Sequence, residues 1–191
     1  MIDYTTLSLA DVGTELDAIA RETQSRFGPL DERQLNWRPA AASWSVAQCF
    51  DHLLNANRAM FEALDAAMDE ARPRTVWQRL PVLPGVLGRI MIRSQMPEAK
   101  RKFTAPGKAE PASSAIDARI IERFVAHQRE AAARVRALEE RAASRIMVSP
   151  FVAVITYSVL DGCRLLVTHE RRHFEQARRV TEEPDFPASR G

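Results

Sequence analysis

The chain has 191 residues, of which 46% are hydrophobic and 27% charged, and this composition excludes a disordered or fibrous protein. The length predicts one domain, because domains usually hold about 100–200 residues. A net charge of +2 is too small to indicate a nucleic-acid-binding protein by itself. The two cysteines, Cys49 and Cys163, exclude a disulfide scaffold and a thiolate zinc site. Since the sequence shows no signal-peptide core and no membrane-spanning stretch, we expect a soluble cytoplasmic protein without a membrane partner.

Four stretches of the chain space their apolar side chains three and four residues apart, as amphipathic helices do. The predicted helices cover residues 8–27, 45–71, 114–144 and 158–180. Each begins at a serine that an acidic or amide side chain follows three residues later, which is the pattern of a helix N-cap. No stretch alternates apolar and polar residues long enough to predict a strand. The sequence therefore predicts an all-α fold, a four-helix bundle.

Two regions interrupt the helices. Residues 28–44 are predicted to form a loop, and residues 72–113 contain six prolines, so that any helix there should be short. Between Arg72 and Lys108 the chain carries nine basic residues against one acid. This excess could bind a nucleic-acid backbone, an anionic lipid surface or an acidic substrate, although a solvated covering loop is the simpler interpretation. We expect a single domain over residues 1–183, with a basic, Pro-rich insertion at about 72–113 and a flexible tail over 184–191.

The histidines offer the most specific chemistry in the sequence. His169 and His173 lie four residues apart, so on a helix their side chains stack on one face, with Cβ atoms about 5–6 Å apart. Both imidazoles could then reach one metal ion. A helical wheel places the pair in the apolar arc of the fourth helix, where a buried imidazole needs a partner. A histidine pair at this spacing is also common on surfaces and as a hydrogen-bonded core pair, so spacing alone leaves these interpretations open.

His52 lies on the second helix beside a seam of small residues, where another helix can approach closely. A third imidazole from this position would make a three-nitrogen site with an open coordination position, which is typical of catalytic metal centres. His127, at the edge of the apolar arc of the third helix, is predicted to be a satisfied boundary histidine and not a ligand. Glu170, on the margin of the inward face, is predicted to be a catalytic proton carrier or a hydrogen-bond acceptor behind the ligands. A salt bridge to a neighbouring arginine is the alternative for Glu170.

Two sequence motifs resemble the DinB/YfiT-like superfamily. The first comprises Asn36-Trp-Arg-Pro39, Ser43-Trp-Ser-Val-Ala-Gln48 and Asp51-His-Leu53, and the second is His169-Glu-Arg-Arg-His173-Phe-Glu-Gln176. The resemblance implies a four-helix bundle with a long crossover connection, often paired into a homodimer. It also implies a divalent metal ion, most often zinc or nickel, bound by the motif histidines, which here are His52, His169 and His173.

The resemblance further implies two possible reactions on a small molecule. A non-catalytic binding function remains as an alternative. The first reaction is transfer of a low-molecular-weight thiol to an electrophile by a thiol-dependent S-transferase, and the second is metal-dependent hydrolysis. The alternative is a non-catalytic helical dimer that binds an anionic partner through residues 72–108. No nucleic-acid-binding motif is present, so we expect no specific nucleic-acid partner.

Overall fold

The computed structural model describes residues 2–69, 71, 73, 75–79, 83–97, 109–112 and 115–188. Four long helices form a bundle, as predicted: α1 (Leu9–Phe27), α3 (Val46–Met68), α5 (Ile120–Arg136) and α7 (Val159–Thr181). Three shorter helices accompany them, α2 (Glu32–Asn36), α4 (Leu83–Ser94) and α6 (Glu140–Ala143), together with a 3-10 helix at Trp77–Arg79. Around the bundle the order of the long helices is α1, α5, α3, α7, so that α5 and α7 lie diagonally opposite each other. Within the described residues, no helix combines the length and the hydropathy needed to cross a membrane.

Side-chain caps determine where three of the long helices begin. Ser8 and Ser45 each form a capping box with the residue three positions later, as their sequence pattern predicts. Ser158 Oγ accepts a hydrogen bond from the backbone N–H of Asp161 at 3.0 Å, at the start of α7. These caps satisfy amides that would otherwise have no partner, and so they fix the first residue of α1, α3 and α7.

Each long helix contributes one buried phenylalanine to an aromatic cluster in the core: Phe27, Phe50, Phe124 and Phe174. The ring centroid of Phe50 lies 5.1 Å from that of Phe27 and 4.8 Å from that of Phe124. The ring of Phe174 packs edge-on against Phe27, with centroids 5.3 Å apart. Because Phe50 lies two residues before His52 and Phe174 directly follows His173, this cluster also holds the backbone beside two of the predicted ligands.

An ion pair fixes α7 against α1. Arg171 donates from Nε to Glu15 Oε1 at 2.5 Å and from Nη1 to Glu22 Oε2 at 2.6 Å. The side chains of Arg171 and Glu15 are each only 14% exposed, so solvent screens their interaction less than that of a surface pair. Arg171 lies between the two predicted ligands of α7, and this contact therefore limits rotation of the segment that carries them.

The prediction that the chain contains no strand was wrong. Strands β1 (Ile146–Val148) and β2 (Thr156–Ser158) pair in antiparallel fashion, with Met147 opposite Tyr157. Each strand has only three residues, which is too short to produce a recognisable alternation of apolar and polar side chains. The hairpin is held because Met147 and Tyr157 are both buried in the core.

Several predicted helix boundaries were also wrong. The third long helix begins at Ile120 and ends at Arg136, instead of covering residues 114–144. The Asp117 carboxylate accepts a hydrogen bond from the backbone N–H of Arg119 and holds a turn before the helix, while the predicted cap at Ser114 lies outside the described residues. Helix α3 ends at Met68, not near residue 71. The predicted loop at 28–44 contains α2, which a capping box at its N-terminus stabilises.

The insertion and the tail are described in part. Of the nine basic residues of the insertion, Arg79, Arg89 and Arg93 are among the described residues and the other six lie outside them. In the tail, the carbonyl of Pro187 accepts a hydrogen bond from Gln34 Nε2 at 2.8 Å, so described residues of the predicted flexible tail contact α2. Residues 189–191 lie outside the described part of the chain.

The cap of α7 predicts a stability effect. Ser158→Ala should lower the free energy of unfolding by about 1 kcal/mol, because the amide of Asp161 loses its acceptor. Ser158→Asn restores a side-chain oxygen and should stay close to wild type. Urea unfolding monitored by circular dichroism measures both variants, and equal loss in the two would show that the cap does not stabilise α7.

Candidate metal centre

Helices α3 and α7 bring the three predicted metal ligands together. His52, His169 and His173 each offer one nitrogen, and these nitrogens all lie within 4.8 Å of one another. The nitrogens His52 Nε2 and His169 Nε2 lie 3.1 Å apart. The three ring centroids lie 4.5–5.0 Å apart. Among the described residues this is the one group of three potential ligands with such geometry.

Burial keeps these imidazoles neutral. His52 and His173 are buried, and His169 is partly exposed. Removal from water lowers the pKa of His173 to about 3, with a further lowering by the nearby His52. Burial also lowers the pKa of His52 and takes the pKa of His169 well below 6.5. Neutral imidazoles keep a nitrogen lone pair, which is the form that binds metal ions.

Oxygen acceptors fix the orientation of two of the rings. His52 Nδ1 lies 2.5 Å from the carbonyl oxygen of Ala109. Because a carbonyl only accepts, Nδ1 of the neutral ring carries the hydrogen and Nε2 carries the lone pair. His173 Nδ1 donates in the same way to Gln176 Oε1, at 2.9 Å. Histidines that bind metals usually have such a partner on the other ring nitrogen, and sequence reasoning missed both partners here.

The position of the Ala109 carbonyl depends on side chains of α3. Gln48 Nε2 donates to the carbonyl of Ala112 at 3.0 Å, and the Asp51 carboxylate accepts from the backbone N–H of Ala112 at 2.9 Å. These two contacts hold the segment 109–112 along the N-terminal half of α3. Gln48 therefore serves twice, since its amide also closes the capping box that begins the helix.

Trp44 packs against two of the three imidazoles. Its ring centroid lies 4.8 Å from that of His52 and 5.6 Å from that of His173, and the latter pair is stacked with an interplanar angle of 26°. The indole thus forms an apolar wall on one side of the cluster. Such a wall limits water around the nitrogens and strengthens electrostatic interactions within the site.

The donor set fits a divalent metal ion. Since His52 Nε2 carries no hydrogen, the 3.1 Å contact requires that His169 Nε2–H donates it in the metal-free protein. A tetrahedral ion with metal–nitrogen distances of about 2.0–2.1 Å sets its ligand atoms about 3.4 Å apart. The His52–His169 pair is already near this separation, and the third nitrogen lies within 4.8 Å of both. A bound ion would take the place of the hydrogen between these two rings.

The fourth histidine and the two cysteines lie outside the cluster. The ring of His127 packs near Phe61, with centroids 6.0 Å apart, at the boundary position that the sequence predicts. The expectation that it is satisfied was wrong, because its buried Nε2 has no hydrogen-bond partner within the described part of the chain. Burial raises the pKa of both Cys49 and Cys163 to about 12, so neither supplies a thiolate near neutral pH.

Glu170 lies deeper than its predicted position on the margin of the inward face. Its side chain is fully buried, and its Oε1 accepts hydrogen bonds from Asn57 Nδ2 at 2.7 Å and Gln128 Nε2 at 2.8 Å. Burial raises the pKa of the carboxyl to about 7, against the lowering effect of these two hydrogen bonds. The role of Glu170 as a catalytic proton carrier stays a prediction.

The metal-free protein should lose stability as the pH falls below 6.5, because folding lowers the pKa of each imidazole and the unfolded chain then binds more protons. For His173, with a pKa of about 3 in the folded protein, the first pH unit below 6.5 should remove about 1 kcal/mol of unfolding free energy. Glu170 has the opposite effect on the pH dependence of stability. Its raised pKa stabilises the folded protein below the ordinary carboxyl pKa, and this stabilisation is lost as the pH rises through 7.

The matched comparison is therefore wild type against His173→Gln, which leaves Glu170 in place. Denaturant unfolding of chelator-treated protein at about pH 7.5 and about pH 5.5 measures the difference. Wild type should lose roughly 1 kcal/mol more than the variant over this interval. Identical losses would contradict a neutral, buried His173.

Comparison with known proteins agrees with this architecture. The family model of the DinB superfamily matches residues 15–177, a range that includes all three clustered histidines. The chain is also 26% identical over 163 residues to the uncharacterized protein YuaE of Bacillus subtilis (strain 168), and the match covers 84% of this chain and 91% of YuaE. No solved structure matches the chain significantly. With most of its length matched by the family model, the chain belongs to the DinB superfamily.

Proposed function

We propose that this protein is a metal-dependent enzyme that acts on a small molecule, with the ion held by His52, His169 and His173. The observation that carries the proposal is the convergence of three neutral imidazoles from two helices, two of them already oriented by oxygen acceptors. Three nitrogen ligands leave one coordination position for substrate or water, which is the arrangement of catalytic and not of structural zinc sites. Zinc and nickel are the ions we favour, because both bind imidazole well.

The ion, when bound, supplies Lewis acidity that lowers the pKa of a coordinated thiol or water. The protein's own residues supply the rest of the site. Trp44 covers two of the imidazoles, and the carbonyl of Ala109 and the amide of Gln176 keep the Nε2 atoms of His52 and His173 available. Since His169 is the most exposed of the three ligands, a small molecule would approach from its side.

A thiol-dependent S-transferase is the reaction we put first. Cys49 and Cys163 are buried, and the pKa of each is raised to about 12, so a thiol-dependent reaction in this protein requires a thiol from outside the chain. An ion held by His52, His169 and His173 would lower the pKa of such a thiol and so favour the nucleophilic thiolate, with the thiol proton released to solvent. A hydrolase is the second candidate, because a site with three nitrogen ligands also suits activation of water.

The alternative is a non-catalytic module that binds an anionic partner through residues 72–108. It is supported by α4, where Arg89 and Arg93 are exposed beside the exposed apolar residues Val86 and Ile90. A homodimer and the lack of a specific nucleic-acid partner stay predictions under either function. Elemental analysis of protein purified without a histidine tag separates the two, since only the enzyme requires a stoichiometric metal ion.

The three ligands should prove interdependent. His52→Ala, His169→Ala and His173→Ala should each reduce metal occupancy sharply from about one equivalent, because two imidazoles on one helix make a poor chelate. His127→Ala is the matched control and should bind metal like wild type, since His127 lies outside the cluster. Elemental analysis after metal supplementation and gel filtration measures occupancy in all four variants.

Thermal unfolding gives a second readout of the same variants. An ion that binds only the folded protein stabilises it by about 2.7 kcal/mol at a free concentration of about 100 times Kd. This gain should be present in wild type and His127→Ala and absent from the three ligand variants. Each variant is measured with and without metal, so that the stabilisation by metal is compared separately from any loss of stability caused by a cavity in the metal-free fold. If all four variants behave alike, the three histidines are core residues and not ligands.

A further inference from the structure

A buried polar cluster joins three helices at the centre of the bundle. It consists of Asn57 on α3, Gln128 on α5 and Glu170 on α7, and each of these side chains is 0% exposed. Glu170 Oε1 accepts one hydrogen bond from Asn57 Nδ2 at 2.7 Å and another from Gln128 Nε2 at 2.8 Å. Since α5 and α7 lie diagonally opposite each other, the Gln128–Glu170 hydrogen bond spans the core.

The cluster is unfavourable for the stability of the fold. Three of its oxygens, Asn57 Oδ1, Gln128 Oε1 and Glu170 Oε2, are buried and have no hydrogen-bond partner among the described residues. Buried polar groups without partners destabilise a fold, and apolar side chains of similar size often give a core that is equally stable or more stable. The cluster therefore requires an explanation other than stability.

Its position in the sequence suggests what it does. Glu170 directly follows the ligand His169, and Asn57 lies five residues after the ligand His52 on α3. The cluster therefore links the two helices that carry metal ligands, close to the ligands on both. Apolar packing alone tolerates small sliding and rotation of helices, whereas hydrogen bonds between fixed donors and one carboxylate oxygen do not.

We propose that Asn57, Gln128 and Glu170 form a positioning cluster that sets the rotation and height of α7 against α3, and so sets the separation of the three histidine nitrogens. Glu170 is then a positioning residue and not a proton carrier. This inference rests on the proposed metal site, because its consequence is the affinity of that site for the ion.

The decisive variants replace members of the cluster by methionine. Glu170→Met and Gln128→Met remove the hydrogen bonds but keep a long side chain in the core. We expect zinc affinity to fall about 10- to 100-fold in Glu170→Met, which is the usual effect of removing a residue that orients metal ligands. Zinc affinity should also fall in Gln128→Met. Gln128 is the sharper probe, since α5 carries none of the three ligands. The melting temperature of the metal-free protein should change little in Gln128→Met, because Glu170 keeps the hydrogen bond from Asn57. It should fall in Glu170→Met, which leaves the buried amides of Asn57 and Gln128 without an acceptor.

Two controls separate positioning from other roles. Leu166→Met introduces the same side chain one turn earlier on α7, at a buried position outside the cluster, and should bind zinc like wild type. Glu170→Gln keeps an acceptor for both amides and cannot carry a proton, and it should also bind zinc like wild type. Cobalt-loaded samples give a spectroscopic check, because the visible absorption of Co²⁺ follows its coordination geometry. The spectrum should change in Glu170→Met and be restored in Glu170→Gln.

The metal-free protein provides a readout that does not depend on the proposed function. The imidazole ¹⁵N resonances should show His169 Nε2 as donor and His52 Nε2 as acceptor in wild type. In Glu170→Met the signal of a hydrogen-bonded His169 Nε2–H should be lost, whereas His52 keeps its hydrogen on Nδ1, which the Ala109 carbonyl accepts. A wild-type protein that takes up no metal overturns the proposed function, and the ¹⁵N spectra then still test whether the cluster positions the rings. If Glu170→Met and Gln128→Met both keep the zinc affinity and the ¹⁵N spectra of wild type, the positioning role is wrong. The positioning role is also wrong if Leu166→Met loses zinc affinity like the cluster variants and the losses of affinity follow the losses in melting temperature.

Discussion

The packing of α3 against α7 is the contact on which the rest of this structure depends. It places His52 Nε2 at 3.1 Å from His169 Nε2, and it requires three imidazoles to share a largely water-free space. Such an arrangement is tolerable because burial keeps the rings neutral, so that they do not repel each other as cations near neutral pH. The packing of α3 against α7 also depends on the caps at Ser45 and Ser158, because each cap sets the first residue of a helix that carries ligands.

The site also depends on parts of the chain that hold no ligand. The segment 109–112 supplies a carbonyl to His52, and α3 in turn holds that segment through Gln48 and Asp51. Trp44, from the loop before α3, closes one side. Helix α5 carries no ligand, and it is linked to α7 by the hydrogen bond from Gln128 to Glu170. Polar contacts therefore organise the ligands, while the aromatic cluster and other apolar residues supply most of the buried surface.

Sequence patterns predicted the parts of this structure that short-range physics determines. Helix starts at Ser8, Ser45 and Ser158 follow from caps that involve residues three positions apart, and the stacking of His169 and His173 follows from helical spacing. The helical wheel also placed both histidines in the core. The facing of His52 onto them was predicted from a seam of small residues together with the family motifs, and the structure brings all three together.

The parts that sequence reasoning missed depend on tertiary contacts. The hairpin of β1 and β2 has strands too short to show a pattern and is held by its contacts with the core. The carbonyl of Ala109 is a backbone atom, so no residue type in the sequence marks it. Gln128 looks like any polar residue in the middle of a helix until the bundle closes around it, and only then does Glu170 become an interior carboxyl instead of an edge one.

X-ray absorption spectroscopy at the zinc edge identifies the ligands of the bound ion in protein that was purified without a histidine tag and loaded with one equivalent of zinc. We expect scattering from three imidazole rings at metal–nitrogen distances of about 2.0–2.1 Å, with a light fourth atom from solvent. Two or fewer imidazoles around the ion, or a sulfur scatterer at about 2.3 Å, would contradict a centre built from His52, His169 and His173.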